Sequence, residues 1–393
     1  MLKLETAGSR GIDSSPKPWV IVVGAGAVVQ EKFTPNVLDR LGPGESRVII
    51  DINPKRLQDY GMEDRGQRVA ADAVNGLPIN VKGLSEKERT NFTAIVTTPD
   101  HLGPIRSLIE AGVQKFIVEK PLVNNAAEID VLMELLRVNP DVRIYPLDFY
   151  IQKAAPLLVL TGAITPDDPR FSWVTMANGE AVDSNLSGSI DQLIGEIEGI
   201  EVTIIEGGKF GLPDLAKRRW LEEDNLRGGM LLDLGTHALA PLFAAGIISQ
   251  GGVRVKQSLR YVLGPDRQSF VKATASQAEI YSQALLTAEK RGWNIPCLIT
   301  VGKTFHDGGM WKTNIRGTTG DISMGLRTGQ RLTVEPKEGE SFQLRLRKND
   351  PYGMAFQEAQ MYFDEFPGFD GNLGAMLAAI RIIDQIKSRA NES

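Results

Sequence analysis

The chain has 393 residues, of which 42% are hydrophobic and 24% charged, and it carries a net charge of −5. That length exceeds what one hydrophobic core usually spans, so two domains are expected. The mild acidity excludes a broad basic field for nucleic acid or anionic membrane and leaves small-molecule chemistry as the expectation. A single cysteine, Cys297, excludes an internal disulfide framework and fits a reducing, cytoplasmic setting. With three histidines, a thiolate or multi-histidine metal site is not expected, and no metal is assigned.

Residues 1–18 mix charges with glycine, serine and proline and lack the apolar stretch of a secretory signal, so they read as a tail. No run approaches the roughly 18 apolar residues of a membrane span. Residues 19–23 form a compact apolar run ending in glycine. Residues 27–41 follow with broken helical spacing, interrupted at Thr34-Pro35, where a helix is expected to restart. Short apolar runs at 47–50, 94–97, 115–118 and 142–146 read as strands, and 104–111 and 126–138 as helices. This alternation predicts an α/β chain whose first domain, residues 1–147, is a parallel sheet built from right-handed crossovers.

Beyond Leu147 the texture changes. Residues 196–206 read as a strand, a charged stretch occupies 214–223, and a helix carrying Asp233 and His237 follows. Alternating stretches at 253–262, 269–276, 298–301, 313–315 and 331–334 predict a second, mostly antiparallel sheet within a domain spanning residues 148–393. An amphipathic helix, residues 373–387, closes the chain.

Three motifs carry chemistry. The run Val23-Gly24-Ala25-Gly26-Ala27-Val28-Val29 has the first two glycines of a G-x-G-x-x-G phosphate loop after a strand. The first glycine permits the tight turn and the second lets backbone amides approach a pyrophosphate at a helix N-terminus. Val29 replaces the third glycine, which elsewhere serves helix–strand packing. Asp51 ends the second strand about 25 residues on, where a carboxylate accepts hydrogen bonds from an adenosine ribose. That favours NAD, while Lys55 and Arg56 leave NADP open. Thr97, Thr98, Pro99 and His101 lie at the carboxyl end of another strand, where open α/β sheets bind ligands, although His101 also reads as a loop or capping residue.

The second motif is Glu119-Lys120-Pro121, closing a buried strand where an ammonium needs a partner; Glu119 is one candidate for it. The third is Gly229 through His237, in which Asp233 and His237 stand four residues apart. On one helix that spacing puts both side chains on one face, roughly 6 Å apart along the axis, as a workable acid/base pair. Lys217, Arg218, Arg219 and Arg227 precede this helix. They are placed to recognise a substrate carboxylate or phosphate, yet the run is balanced by Glu222, Glu223 and Asp224 and reads more readily as solvated surface.

In that order, the glycine loop, Asp51, Thr97-Thr98-Pro99, Glu119-Lys120-Pro121 and Gly229–His237 resemble the glucose-fructose oxidoreductase / inositol dehydrogenase (Gfo/Idh/MocA) family. The sequence departs from the family pattern at Val29. It departs again at Arg227, which stands where the first of three glycines is frequent, and in the segment 145–150, which replaces an arginine-containing strand and loop. Tyr150 and Lys153 are the candidate substrate contacts there, with Arg227.

The resemblance implies a nucleotide domain, an active site between it and an α/β domain, and a large sheet that mediates homodimer or homotetramer assembly. It also implies a final helix packed back near the nucleotide domain. The contacts with the dinucleotide would come from Gly24, Gly26, Ala27, Val28, Asp51, Thr97, Thr98, Pro99, His101, Glu119 and Lys120. The expected activity is hydride transfer between nicotinamide and a secondary alcohol or ketone of a sugar, sugar derivative or cyclitol. His237 would act as the base, Lys120 would stabilise the substrate oxygen, and Asp233 would orient His237 or bind a neighbouring hydroxyl. An imine or carbonyl reductase, a redox-neutral glycosidase or epimerase, and a non-catalytic dinucleotide sensor remain alternatives.

Overall fold

A computed structural model describes residues 19–24, 26, 28–29, 33, 38, 47–51, 67–70 and 92–389, apart from 217, 225–226, 250, 275, 291–292, 327–330 and 348–349. The tail, Ala27, Lys55, Arg56 and the turn at Thr34-Pro35 lie outside the described residues.

Six strands form the first sheet: β1 (Trp19–Val23), β2 (Arg47–Asp51), β3 (Gln67–Ala70), β4 (Phe92–Val96), β5 (Lys115–Glu119) and β6 (Arg143–Leu147). Their order is β3-β2-β1-β4-β5-β6, and every pairing is parallel. These strands are apolar on both faces because both faces are covered, as parallel sheets require. On one face Ile21, Val23, Ala94, Val96, Phe116 and Val118 pack with Ile105 and Leu108 of α1 (Leu102–Glu110) and Ile129 and Leu132 of α2 (Ala126–Val138). On the other, Val20, Val22, Ile49, Ile95 and Ile117 pack with Val29, Phe33 and Leu38. Val29 is fully buried here, so the residue standing in for the third glycine serves as core.

Helices α3 (Phe149–Lys153) and α4 (Ala155–Thr161) leave the first sheet, and β7 (Val174–Met176), α5 (Ile190–Ile194) and β8 (Ile197–Glu206) follow. Next come α6 (Trp220–Glu223), α7 (Met230–Asp233) and α8 (Gly235–Ala244). The remaining strands are β9 (Val253–Leu263), β10 (Phe270–Lys272), β11 (Tyr281–Lys290), β12 (Trp293–Lys303), β13 (Met310–Gly317), β14 (Gly320–Gly325), β15 (Arg331–Pro336) and β16 (Phe342–Leu346). The chain closes on α9 (Pro351–Phe363) and α10 (Leu373–Arg389).

The second sheet runs β10-β9-β11-β12-β8-β13-β14-β15-β16-β7 and is antiparallel except where β8 meets β12. One face is buried, with Ala284, Leu286 and Ala288 of β11 and Ile295, Cys297, Ile299 and Val301 of β12 facing inward; α7 packs on both strands, α8 on β12 and α10 on β9. The other face carries Leu285 and Pro296, which are exposed. Period-two alternation therefore records a sheet covered on one side only.

The two-sheet α/β fold expected from the sequence is the one observed. The strand expected at 269–276 shrinks to the three exposed residues of β10 on the sheet edge. Helix α10 packs against α2 and β6. Helix α9, which the apolar spacing did not reveal, also returns to the first sheet. Its Ala355, Phe356 and Ala359 complete the core there, with the Phe356 ring edge-on to Phe33 at 5.5 Å.

Candidate active site

The first sheet reverses its winding between β1 and β4, and the carboxyl ends of these neighbours form the crevice in which open α/β sheets bind ligands. Gly24 closes β1 with φ +96°, and its N–H donates to the Ile50 carbonyl at 2.8 Å. A Cβ there would lie 2.7 Å from Thr97 Oγ1, so the position requires glycine on both conformational and steric grounds. Thr97 Oγ1 lies 3.1 Å from the Val23 carbonyl and 2.9 Å from that of Gly24, tying the two strand ends together. At Gly26 a Cβ would meet nothing within 4 Å among the described residues. The Val29 N–H donates to the Gly26 carbonyl at 3.1 Å, closing the turn.

Asp51 is buried at the end of β2, Val28 is half-buried, and Thr98 turns its hydroxyl onto the Asp100 carbonyl at 2.6 Å beside exposed Pro99. His101 is buried at the start of α1 with Nδ1 3.2 Å from the Leu122 carbonyl. Burial pushes its pKa down to about 4, so it stays neutral and braces the segment just beyond Lys120.

Strand β5 delivers Glu119 and Lys120 to the same end of the sheet, and the Lys120–Pro121 peptide is cis. Lys120 Nζ donates to the Asp233 carbonyl at 2.5 Å and to Asp233 Oδ1 at 2.8 Å. Burial works against the Lys120 ammonium, but the adjacent Asp233 carboxylate outweighs it and holds the pKa above the ordinary lysine value. Burial likewise opposes ionisation of Asp233, yet Lys120 and Arg218 together keep its carboxyl far below the usual carboxylate range. Glu119 is therefore not the partner of Lys120. Its Oε2 is buried without a hydrogen-bond partner among the described residues, and burial pushes the carboxyl up to about 8.

The expected Asp233–His237 couple is corrected by the structure. The helix breaks at Leu234, between the four-residue turn α7 and the restart at Gly235, and the two side chains take different partners. Asp233 lies between Lys120 and Arg218, whose Nη1 is 3.2 Å from Asp233 Oδ2. His237 Nδ1 instead lies 2.7 Å from Oδ1 of Asp148, the residue that caps α3 by accepting the Tyr150 N–H at 3.0 Å. A carboxylate only accepts, so Nδ1 carries the proton and Nε2 is the basic nitrogen. Burial pulls the His237 pKa below the ordinary histidine value, and Asp148 opposes that pull without cancelling it.

Aromatic rings wall the imidazole. Tyr150 lies over it at 4.1 Å and Trp311 stacks on Tyr150 at 5.4 Å, while Phe149 sits 5.5 Å from the imidazole and 4.6 Å from Tyr352. The Lys153 ammonium lies 4.2 Å above the Tyr150 ring. Tyr150 is thus at the histidine, and Lys153 lies on the Tyr150 and Phe149 rings. Arg227, by contrast, is exposed and closes a turn through its backbone N–H on Asp224 Oδ1 at 3.0 Å.

The Leu212 N–H donates to the Thr304 carbonyl just past β12, and of the described residues of the basic run it is Arg218 that reaches the site. Its Nη2 is 2.6 Å from Asp214 Oδ2 and 3.7 Å from Glu206 Oε2. Lys303, with no exposed side-chain surface, pairs with Glu206, lies 3.1 Å from Asp214 Oδ2 and donates to the Phe210 carbonyl at 2.6 Å. Reading charges along the sequence hides this alternation, since Glu206, the Asp214–Arg218 pair and Lys303 come from three separate segments. The available signal was position: Glu206 and Lys303 end neighbouring buried strands, where an unpaired charge is costly.

No protein-family model matches the sequence, and no curated protein does. Solved structures do match in fold. An inositol dehydrogenase homologue from Azotobacter vinelandii complexed with NAD+ is 16% identical, covers 96% of either chain and has a TM-score of 0.65. The same homologue with NADH and myo-inositol covers 97% of either chain at 16% identity and a TM-score of 0.64. KijD10, a 3-ketoreductase from Actinomadura kijaniata in complex with NADP and TDP-benzene, is 16% identical with a TM-score of 0.63, over 95% of this chain and 98% of that one. The chain therefore shares, over nearly its whole length, the two-sheet α/β fold of these proteins.

Proposed function

We propose that the chain is an NAD(P)-dependent oxidoreductase of the Gfo/Idh/MocA type, acting on a secondary alcohol or ketone of a sugar, sugar derivative or cyclitol. The observation that carries this reading is the convergence of Lys120 and His237 at the carboxyl end of the parallel sheet, each with its own buried carboxylate, beside the glycine turn that Gly24 opens with φ +96°. The fold relatives were crystallised with NAD+, NADH or NADP, and with myo-inositol or TDP-benzene.

When bound, the nicotinamide accepts or returns a hydride at the substrate carbon. Gly24, Gly26 and the turn through Val28 would receive the pyrophosphate on backbone amides. Asp51 would accept hydrogen bonds from the adenosine ribose, which favours NAD. For alcohol oxidation, neutral His237 takes the hydroxyl proton on Nε2 while Asp148 steadies the imidazolium through Nδ1. Lys120, already fixed by two bonds to Asp233, has a third N–H to donate to the same substrate oxygen as negative charge develops on it. In the reducing direction the same groups act in reverse. Tyr150 and Lys153 line the imidazole side, where a polyol ring would rest on aromatic carbon.

On this reading residues 1–147 form the nucleotide domain and residues 148–393 the substrate domain, with α9 and α10 returning to the first. The open face of the second sheet, where Leu285, Pro296 and Leu298 lie among Glu201, Asn314 and Ser323 in a shallow concavity, would join subunits of a homodimer or homotetramer. A cytoplasmic location fits the lone buried thiol of Cys297. Among the described residues no helix is long and apolar enough to cross a membrane.

The test is a panel of cyclitols, aldoses and ketosugars incubated with the protein and NAD or NADP, followed by absorbance at the reduced-nicotinamide band. Turnover of at least one neutral polyol supports the reading. A chain that binds cofactor but turns over none of the panel would favour the sensor.

A further inference from the structure

The four-residue turn α7 that carries Asp233 cannot hold itself in place. A single helical turn closes too few hydrogen bonds to offset its ordering entropy, and its first N–H groups have no partner within the turn. Both are taken by one residue on the loop before β11. The Met230 N–H donates to the Glu279 carbonyl at 2.9 Å, and the Leu231 N–H donates to Glu279 Oε1 at 2.9 Å. Gly229 enters the turn with φ +92°, and a Cβ on it would land on the Glu279 carboxylate, so backbone and carboxylate are in close contact.

Glu279 is held in turn. Its Oε2 lies 2.9 Å from Arg260 Nη2 and 3.0 Å from Arg260 Nε, and neither side chain has appreciable exposure. The remaining guanidinium donors of Arg260 reach the Gln277 carbonyl at 2.7 Å and the Lys387 carbonyl at 3.3 Å, near the end of α10. The guanidinium thus ties together strand β9, the loop bearing Glu279 and the last helix.

We infer that Glu279, fixed by Arg260, is a positioning residue for the active site: it sets where Asp233 presents its carbonyl and carboxylate to Lys120. The route is short. The Asp233 N–H donates to the Gly229 carbonyl at 3.1 Å and the Leu234 N–H to the Met230 carbonyl at 2.8 Å, so a shift of residues 229–231 moves Asp233 directly. Lys120 bonds both the main chain and the side chain of Asp233, and it feels that shift twice. The competing reading is a buried ion pair that serves stability alone.

The two readings separate at Lys120. The charged and titratable groups facing its ammonium are Asp233 from α7, Glu119 from β5, Asp148 ahead of α3 and His237 from α8. Glu279 acts on Lys120 only through Asp233. The experiment is the pH dependence of acetylation of Lys120 by acetic anhydride in the full chain, read by peptide mass spectrometry for wild type, Glu279→Gln and Arg260→Lys. Wild-type Lys120 should titrate above an ordinary lysine. In Glu279→Gln the midpoint should fall by about one unit as Asp233 loosens and burial prevails, with a smaller fall in Arg260→Lys.

A wild-type midpoint in both folded variants overturns the inference. Should Glu279→Gln fail to fold, the midpoint in Arg260→Lys decides alone. The inference draws its catalytic meaning from the proposed oxidoreductase, but the readout needs neither substrate nor cofactor. Absence of turnover in the wild type would count against that function and leave the positioning claim to the Lys120 midpoint.

Discussion

The lysine side and the histidine side of the pocket treat buried charge in opposite ways. Around Lys120, cations and carboxylates alternate through Asp233, Arg218, Asp214, Lys303 and Glu206, so opposite charges meet at every step. The Lys120–Asp233 pair is locked in its ionised form, with lysine raised and aspartate lowered. Around His237 the carboxylate that hydrogen-bonds the ring is Asp148, the rest of the wall is aromatic, and burial pulls the imidazole toward its neutral form. A fixed cation suits an oxygen that gains negative charge, and a neutral ring suits a proton that must move.

The largest effect should come from breaking the mobile side. His237→Ala should lower turnover about 10³-fold, within the range of positioned acid–base groups, with cofactor affinity unchanged by calorimetry. Lys120→Met should lower kcat about 10²-fold, because one oxyanion donor is lost while His237 and Asp148 stay in place. A variant with near-normal kcat would show that another donor, such as Arg218, rather than Lys120, polarises the substrate.

Asp148→Asn sharpens the contrast through pH. Asp148 favours the imidazolium, so its loss should lower the His237 pKa and move the acid limb of alcohol oxidation to lower pH. Turnover should also fall about tenfold as Nδ1 loses its charged acceptor. An acid limb that moves up, or stays where it is, would assign that limb to another group. The smallest effect concerns the cofactor: Asp51→Ala should weaken NAD by about tenfold and NADP by less, since only the former offers a 2′-hydroxyl to the carboxylate. Equal losses in parallel titrations would remove the basis for an NAD preference.

Local pattern made five strands of the first sheet, all but β3, and six of the second, all but β7, β11, β14 and β16, legible, because the period of the apolar residues reports which faces are buried. Helix α2 has the bounds the sequence predicts, and Asn125 caps it by accepting the Glu128 N–H at 2.9 Å, a local signal. Lys120 and His237 were legible as site candidates through short motifs. Their partners were not. The Asp233–His237 spacing suggested a couple, but that inference assumed an unbroken helix, and the break at Leu234 let each residue turn to a carboxylate or cation from elsewhere in the chain.

Asp148 meets His237 because α3 packs on α8, a tertiary fact with no sequence period. Its one local hint was a place just past the carboxyl end of β6. Arg218 was hidden differently: a balanced run of charges has the same composition whether it is solvated or folded into a network. Helix α9 was missed because its small buried residues, Ala355 and Ala359, carry little apolar signal although they complete the core of the first sheet.

The most direct test of the account is calorimetric titration of the protein, stripped of bound nucleotide, with NAD and NADP in parallel. The account predicts binding at the glycine turn, tighter for NAD than for NADP, and a loss of that preference in Asp51→Ala. Failure of both cofactors to bind correctly folded protein would contradict it, leaving Lys120 and His237 with no nicotinamide to act beside.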